Sequence, residues 1–380
     1  MCRALLAVVA LLAALAAPVQ AQSGDATRSA PQPRVGAAAW YLLGNDGELL
    51  AAHRARQRRA VASITKLMTA VVTLERTSPS ESVTVGRRAA VTGESSVYLR
   101  FGETSTVADL LRATLVPSAN DAAHALAVHV GGGSVPHFVS LMNAKARALG
   151  MTDTTYRNPH GLDQAGHVSS ARDSTMLVRY ALGIQFIRDA LGRSAISHAG
   201  GTFPTTNDLL DAWPRLLGGK TGHTREAGWS QAAAASRNGV TVYGTVLGSE
   251  TRAERNEALR SLLAHGLGRY RRVAAIDATR VYGEAETGYG RPDVELVARR
   301  SAVRTVRDDV ALVERVVLPT SVGLPVAAGQ VLGRVEVWHR SRLVASSNLV
   351  AASSVSEPGV LAKTWWYARE TASNLWGIVT

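Results

Sequence analysis

Three short groups of residues carry chemistry-bearing side chains at meaningful spacing. The first is Ser63-Ile64-Thr65-Lys66. If a helix starts here, positions i and i+3 share a face. Ser63 then sits at the helix N-terminus, where backbone N–H groups favour developing negative charge. Lys66, one turn along, takes the serine proton if burial and a second cation lower its own proton affinity. The second group is Ser118-Ala119-Asn120, just after Pro117. A hydroxyl and a carboxamide on one tight turn point into a cleft together, the first to relay a proton and the second to bind a substrate carbonyl. The third is Lys220-Thr221-Gly222, preceded by Gly218-Gly219. On an edge strand Lys220 offers a fixed cation, and Gly222 lets a substrate backbone come close. Each group alone is also ordinary local structure: a helix start, a turn with a cap, a glycine-rich strand. A phosphate-binding loop ending in Gly219-Lys220-Thr221 is excluded, because the glycine it needs five residues earlier is Pro214. Taken together and in this order, the three supply a nucleophile, an amine base, a proton relay, a carboxamide and a carboxylate-binding cation, a complete set for acyl transfer.

Elements must hold these groups together. Ala37–Leu43, the turn Gly44-Asn45-Asp46-Gly47 and Glu48–Ala52 read as a β-hairpin. From about Ser63, Ile64, Leu67, Met68, Val71 and Leu74 recur at helical spacing. Val107–Val116 is a second helix. Asp121 is placed to cap a third, Ala122–Val130, which Gly131-Gly132-Gly133 ends. Pro136–Leu149 is a fourth. Ala232–Ala235, Asn238-Gly239 and Val240–Leu247 read as two strands joined by a tight turn. Arg252–Leu267 is helical again. A β–helices–β order fits a mixed sheet beside a helical cluster.

Beyond about residue 275 the helical periodicity stops. Val294–Val297, Val303–Val306, Val310–Leu318, Leu324–Val326 and Val331–Trp338 read as short strands of a separate β-sandwich. Val360–Thr380 is again helical, with Leu361, Trp365, Ala368, Ala372, Leu375, Trp376 and Val379 on one face. Its charges forbid spanning, but its tryptophans suit a helix lying in a membrane interface; the alternative is a helix packed on the β region. At the other end, Arg3, the apolar run Ala4–Ala17 and Val19-Gln20-Ala21 read as a cleaved secretory signal. Cys2, the single cysteine, would leave with it, which removes thiol catalysis, disulfides and cysteine-bound zinc. The expected organisation is a signal at 1–21, a linker at 22–35, a catalytic domain at 36–272, a β-sandwich at 273–352 and an amphipathic helix at 358–380.

The 380 residues are 46% hydrophobic and 19% charged, which excludes a disordered chain, collagen and a polytopic membrane protein. The length suits two domains and buries a full core without staples. The net charge of +12, clustered locally at Arg54, Arg56, Arg58 and Arg59, suits anionic polymers or lipid surfaces; it equally suits arginine used for solubility. An exported protein does not normally meet nucleic acid.

The motifs and their flanks resemble the penicillin-recognising serine enzymes, and within them the D-alanyl-D-alanine carboxypeptidases, or low-molecular-mass penicillin-binding proteins. Ala62–Ala70, Asn158-Pro159-His160-Gly161-Leu162-Asp163, Ser170-Ala171-Arg172-Asp173, Lys220–Gly228 and Pro325–Gly333 carry the resemblance, which runs from about Ala37 to Val350. It implies an α+β domain of the β-lactamase/transpeptidase type, a mixed sheet with a helical cluster, followed by a small all-β sandwich. It implies that Ser63 attacks the penultimate D-Ala carbonyl of a peptidoglycan stem peptide, Lys66 is the base and Ser118 shuttles the proton. Asn120 would hold the acyl side. Lys220 and Thr221 would bind the terminal carboxylate, with Gly222 leaving room for the substrate backbone. The N–H groups of Ser63 and His223 would form the oxyanion hole, and Arg255 would add charge near the carboxylate. β-Lactams would trap Ser63, no metal or organic cofactor is required, and the C-terminal helix would rest on the outer face of the cytoplasmic membrane. Two departures from the family pattern, Val168 and Trp229, would alter pocket shape without touching the chemistry.

Four other readings compete. A β-lactamase would need a glutamate in Glu-x-x-x-Asn, absent between 150 and 200. A D,D-endopeptidase often lacks the β domain. A metal peptidase would use His160, Asp163 and His167 but has no H-E-x-x-H. A catalytically silent wall-binding scaffold would be indifferent to loss of Ser63. His124 and His129 read as ordinary helix residues.

Overall fold

A computed structural model describes residues 33–379 apart from 310, with side chains described as far as residue 372. The signal expected at 1–21 and most of the linker lie outside the described residues, as do the side chains of Leu375, Trp376 and Val379.

The hairpin at the start forms as β1 (Ala39–Leu43) and β2 (Leu49–His53). Ser63 lies not in an α-helix but in a 3-10 turn, Ala62–Thr65, which runs directly into α1 (Lys66–Leu74). Ile64, Leu67, Met68 and Val71 are buried there, as their spacing predicts. Next come α2 (Val107–Leu115), α3 (Asn120–Val130) and α4 (Val135–Ala148). Asp121 does not cap α3, whose N-cap is Ala119. Its carboxylate instead accepts from Leu99 N (3.0 Å) and Ser96 Oγ (2.6 Å), pinning the 96–99 segment to the helix start. Two helices not anticipated, α5 (Ala171–Gly183) and α6 (Gln185–Leu191), complete the cluster.

The chain then returns to the sheet through β3 (Leu216–Thr224), β4 (Gly228–Arg237) and β5 (Val240–Ser249), and closes with α7 (Arg252–Gly268). The strand order is β2-β1-β5-β4-β3, antiparallel throughout. N- and C-terminal segments therefore share one sheet, with β3 at its edge. Ala232–Ala235 are fully buried because β4 is covered on both faces. Ala232 and Ala234 pack on the helical cluster, and Ala233 and Ala235 pack beneath Leu259, Leu262 and Leu263 of α7. Asn238 and Gly239 both take positive φ (53° and 76°), which the two-residue β4–β5 turn requires. An extra residue, Leu217, bulges from β3. After it, Lys220 lies opposite Ala232, on the helical-cluster face.

The C-terminal part contains β6 (Tyr270–Ile276), β7 (Val281–Thr287), β8 (Val294–Ala298), β9 (Ala302–Arg307), β10 (Leu312–Val317), β11 (Ser321–Val322), β12 (Val331–His339) and β13 (Arg342–Ala351). A six-stranded sheet, β10-β12-β13-β8-β7-β11, packs against the pair β6-β9. Ile276 meets Val335 and Leu349 in the core between them. Residue 272 lies within β6, which pairs with β9 from Tyr270 onward and follows α7 directly. Leu324–Val326 is not a strand; Val326 makes one isolated bridge to Val355. The final helix, α8 (Val360–Val379), leaves Val360, Leu361, Trp365 and Tyr367 exposed. Trp366 packs edge-on to Tyr289 at 5.5 Å. No single helix among the described residues is long and apolar enough to cross a membrane.

Candidate active site

The three motifs meet where the 62–65 turn, the start of α3 and the edge strand β3 converge. Two glycines permit this approach. A Cβ on Gly222 would lie 2.7 Å from Val61 O and 3.1 Å from Ser63 N. Gly161, at φ +90°, packs from below; a Cβ there would lie 1.9 Å from Ala62 O. The loop carrying Gly161 is held by Asn158, whose Oδ1 accepts from Gly161 N (2.7 Å), and by Thr69 Oγ1 donating to Pro159 O (2.6 Å). Ala62 (φ +47°) and Ser118 (φ +69°) both occupy the left-handed region, strain of the kind that gathers at active sites.

Lys66 Nζ is fully buried at the centre. It lies 2.7 Å from Ser63 Oγ, 2.6 Å from Asn120 Oδ1 and 3.4 Å from Ser118 Oγ. Burial, and next the charge of Lys220, push its proton affinity well below that of an ordinary lysine, while Glu94 and Asp121 pull the other way. A neutral amine has two N–H donors and one lone pair. Once deprotonated, Lys66 can donate to Asn120 and towards Ser118 and turn its lone pair to Ser63. Lys220 Nζ donates to Ser118 Oγ (2.9 Å) and Thr221 O (3.1 Å). Burial, then Arg255, lower its pKa to about 7. Arg255, on α7, is itself buried and lowered to about 10, first by burial. Asp208 steadies it at 3.2 Å and also receives Arg252 Nε at 2.7 Å. Thr221 Oγ1 lies 2.6 Å from Thr206 Oγ1.

A cavity of about 190 Å³ opens over these groups, lined by Ser63, Ser118, Asn120, Thr221, Gly222, His223 and Arg255. Lys66 and Lys220 are buried behind these lining residues, in contact with Ser63, Asn120 and Ser118, so the motif residues are brought to one place. A larger hollow of about 520 Å³ beside Met176 and Tyr180 contains no such set. Reasoning from motifs missed Glu94, Ser95, Leu162, Thr206 and Arg252, which also line the cleft. Leu162 falls within the Asn158–Asp163 signature; the others carry no local signal. Trp229 shapes the pocket as expected, whereas Val168 does not. The Trp229 ring stacks on His223 at 4.0 Å, and the Arg255 guanidinium lies 5.6 Å above it, so it forms a wall of the cleft. Cross-strand register causes this, since Trp229 lies opposite His223. Val168 pairs with Thr155 away from the cavity.

The residues of the metal reading are occupied separately. His167 Nδ1 accepts from Arg157 N (3.1 Å), which leaves Nε2 protonated and donating to Thr65 Oγ1 (2.8 Å). Asp163 accepts from Thr224 Oγ1 (2.6 Å). Among the described residues no three potential ligands cluster. His124 stacks on His160 at 6.4 Å, and burial holds His160 down to about 3, hence neutral.

Comparison with known proteins agrees with this geometry. Residues 26–251 match the D-alanyl-D-alanine carboxypeptidase family. The chain is 35% identical to the D-alanyl-D-alanine carboxypeptidase DacD of Salmonella typhimurium, across 73% of this chain and 74% of that one. It is also 35% identical to DacC of Escherichia coli, over 67% of each. Penicillin-binding protein 5 of Haemophilus influenzae superposes with a TM-score of 0.63 at 29% identity, covering 86% of this chain and 99% of that one. The Streptomyces K15 DD-transpeptidase superposes at 0.60 with 30% identity, covering 63% and 99%. The chain belongs to the D-alanyl-D-alanine carboxypeptidase family of serine peptidases.

Proposed function

We propose that this family member removes the terminal D-alanine from peptidoglycan stem peptides through an acyl-enzyme on Ser63. The observation that carries the reading is the Ser63–Lys66–Asn120–Ser118–Lys220 chain of contacts, all within 3.4 Å. Lys66 takes the Ser63 proton as Oγ attacks the penultimate D-Ala carbonyl. The N–H groups of Ser63 and His223 receive the developing oxyanion, each donor worth a few kcal/mol. Ser118, between the two lysines, passes a proton to the departing D-Ala nitrogen. Asn120 holds the acyl side. Lys220, Thr221 and Arg255 receive the terminal carboxylate, and Gly222, lacking a Cβ, lets β3 close on the 61–63 turn that carries Ser63. Water then cleaves the ester and regenerates Ser63. A β-lactam places its amide and carboxylate on the same groups and stops at the acyl-enzyme. Residues 1–21 support export, and the exposed Val360, Leu361, Trp365 and Tyr367 support α8 lying on the outer face of the cytoplasmic membrane.

The test is D-alanine release from a muramyl pentapeptide by wild type and Ser63→Ala. Release should fall by about 10⁴-fold or more in the variant, with loss of labelling by a fluorescent penicillin. Release that persists in Ser63→Ala would overturn the nucleophile. Release from cross-linked dimers alone would move the activity to endopeptidase.

A further inference from the structure

The β region carries an open groove of about 470 Å³ that shares no residue with the catalytic cleft. Its lining is polar or charged throughout. Arg299 and Arg300 come from the β8–β9 turn, Arg334 and Glu336 from β12, and Ser346, Ser347 and Asn348 from β13.

Strand register builds this groove. Arg334 lies opposite Asn348 and Glu336 opposite Ser346, so these four residues share one face of the sheet. Val335 and Val337, which alternate with them, are buried on the other face. The β8–β9 turn is fastened to β13, with Arg299 N donating to Asn348 O (2.8 Å) and Arg300 N donating to Ser347 Oγ (3.2 Å). Two of the arginines thus stand on a hydrogen-bonded turn and the third within a strand.

One carboxylate faces three guanidinium groups. Glu336 pairs with Arg334 Nε (3.1 Å) and accepts from Trp338 Nε1 (3.2 Å), so both its oxygens are engaged. The Nη edge of Arg334 is left without a carboxylate. Arg299 and Arg300 are exposed, and among the described residues their side chains have no hydrogen bond or ion pair. A planar guanidinium matches a carboxylate edge to edge, and the serine and asparagine side chains offer further donors beside it. No apolar side chain lines the groove, as docking on a bilayer would require.

We infer that this groove is a second binding site for wall peptidoglycan, held through the free carboxylates of stem peptides other than the one in the cleft. The inference rests on the reading that the enzyme works on peptidoglycan. A second hold on an insoluble wall raises the effective concentration of stem peptides at the cleft.

The test is co-sedimentation of the full chain with sacculi stripped of phosphate polymers, the cleft having first been closed with penicillin. Wild type should sediment. Three exposed contacts, each worth at most about fivefold, should make Arg299→Ser/Arg300→Ser/Arg334→Ser bind about tenfold more weakly. Converting the sacculus carboxylates to amides should cost wild type the same factor and the variant nothing more. D-Alanine release from a soluble pentapeptide should be unchanged in the variant, which also reports that it is folded. Wild type that does not sediment overturns the inference, as does unchanged sedimentation of the variant. An equal loss when the same charge is removed at Arg76, Arg147 and Arg193, exposed elsewhere, would reduce the groove to net charge and overturn it too. A loss confined to anionic lipid vesicles would make the groove a lipid site instead. Wild type that sediments but releases no D-alanine would overturn the carboxypeptidase reading and leave the groove in place.

Discussion

The cleft and the junction with the β region use basic residues in opposite ways. In the cleft, Lys66, Lys220 and Arg255 are buried in sequence, and each lowers the proton affinity of the next: Arg255 acts on Lys220, and Lys220 on Lys66. A carboxylate makes direct contact with this chain at its far end, Asp208 on Arg255, while Glu94 and Asp121 oppose the shift of Lys66 through charge alone. At the junction, Arg307 is also largely buried, but Asp309 (2.6 and 2.9 Å) and Glu48 (2.6 Å) surround it. Arg340 joins Glu48, and Arg269 reaches Asp308 and Asp309. The Asp309 contacts push Arg307 up, and Arg307 pushes Asp309 down. Burial without compensation makes a cation reactive; burial with compensation makes it a clasp. Residue type alone separates neither case.

Three measurements test this contrast. Lys66→Met keeps the length of the side chain and removes the amine. Penicillin acylation and D-alanine release should both fall by about 10³-fold, with the fold retained by circular dichroism; near-normal acylation would mean the buried amine is not the base. Lys220→Arg exchanges a poised cation for a permanent one. Wild-type Lys220 is charged below about 7 and loses its proton above it, so carboxylate binding should weaken, and KM rise, on the alkaline side. The arginine variant should shift that limb by at least one pH unit upward, because a guanidinium stays protonated. An unmoved limb would assign the titration elsewhere. Glu48→Gln removes one side of the clasp. It should cost about 1 kcal/mol of stability, read from denaturant midpoints, and leave acylation rates within twofold. A large loss of acylation would mean that the junction feeds the cleft.

The chemistry of the site was more legible than its walls. Ser63, Lys66, Ser118, Asn120 and Lys220 lie in motifs whose spacing is local, and hairpins and amphipathic helices around them carry their own periodicity. Thr206, Arg252 and Glu94 reach the cavity through contacts between distant segments, and nothing near them in sequence announces it. That Trp229 would shape the pocket was legible, but its stacking on His223 follows only from the β3–β4 register. Asp121 looked like a cap because its type suits that role, but a competing segment, 96–99, claimed its carboxylate. Strands β7 and β13 were missed for another reason. Their residues alternate weakly, with Gly283 and Glu284 in one and Ser346-Ser347-Asn348 in the other, and long-range pairing supplies the order.

The bulge at Leu217 makes the enzyme's chemistry a matter of counting. Were Leu217 paired instead of bulged, Lys220 would slide from Ala232 to a place opposite Gln231 and turn towards α7. Its ammonium group would then leave Ser118 and Lys66 altogether. Leu217 is itself 39% exposed, so many side chains should be accepted there, and its deletion should only straighten the strand and leave Lys220 opposite Ala232, whereas a one-residue insertion between 216 and 219 should misplace Lys220 and silence the site while leaving every motif spelled as before. For this stretch of chain, a survey of sequence variants should find substitutions and single deletions tolerated and insertions absent.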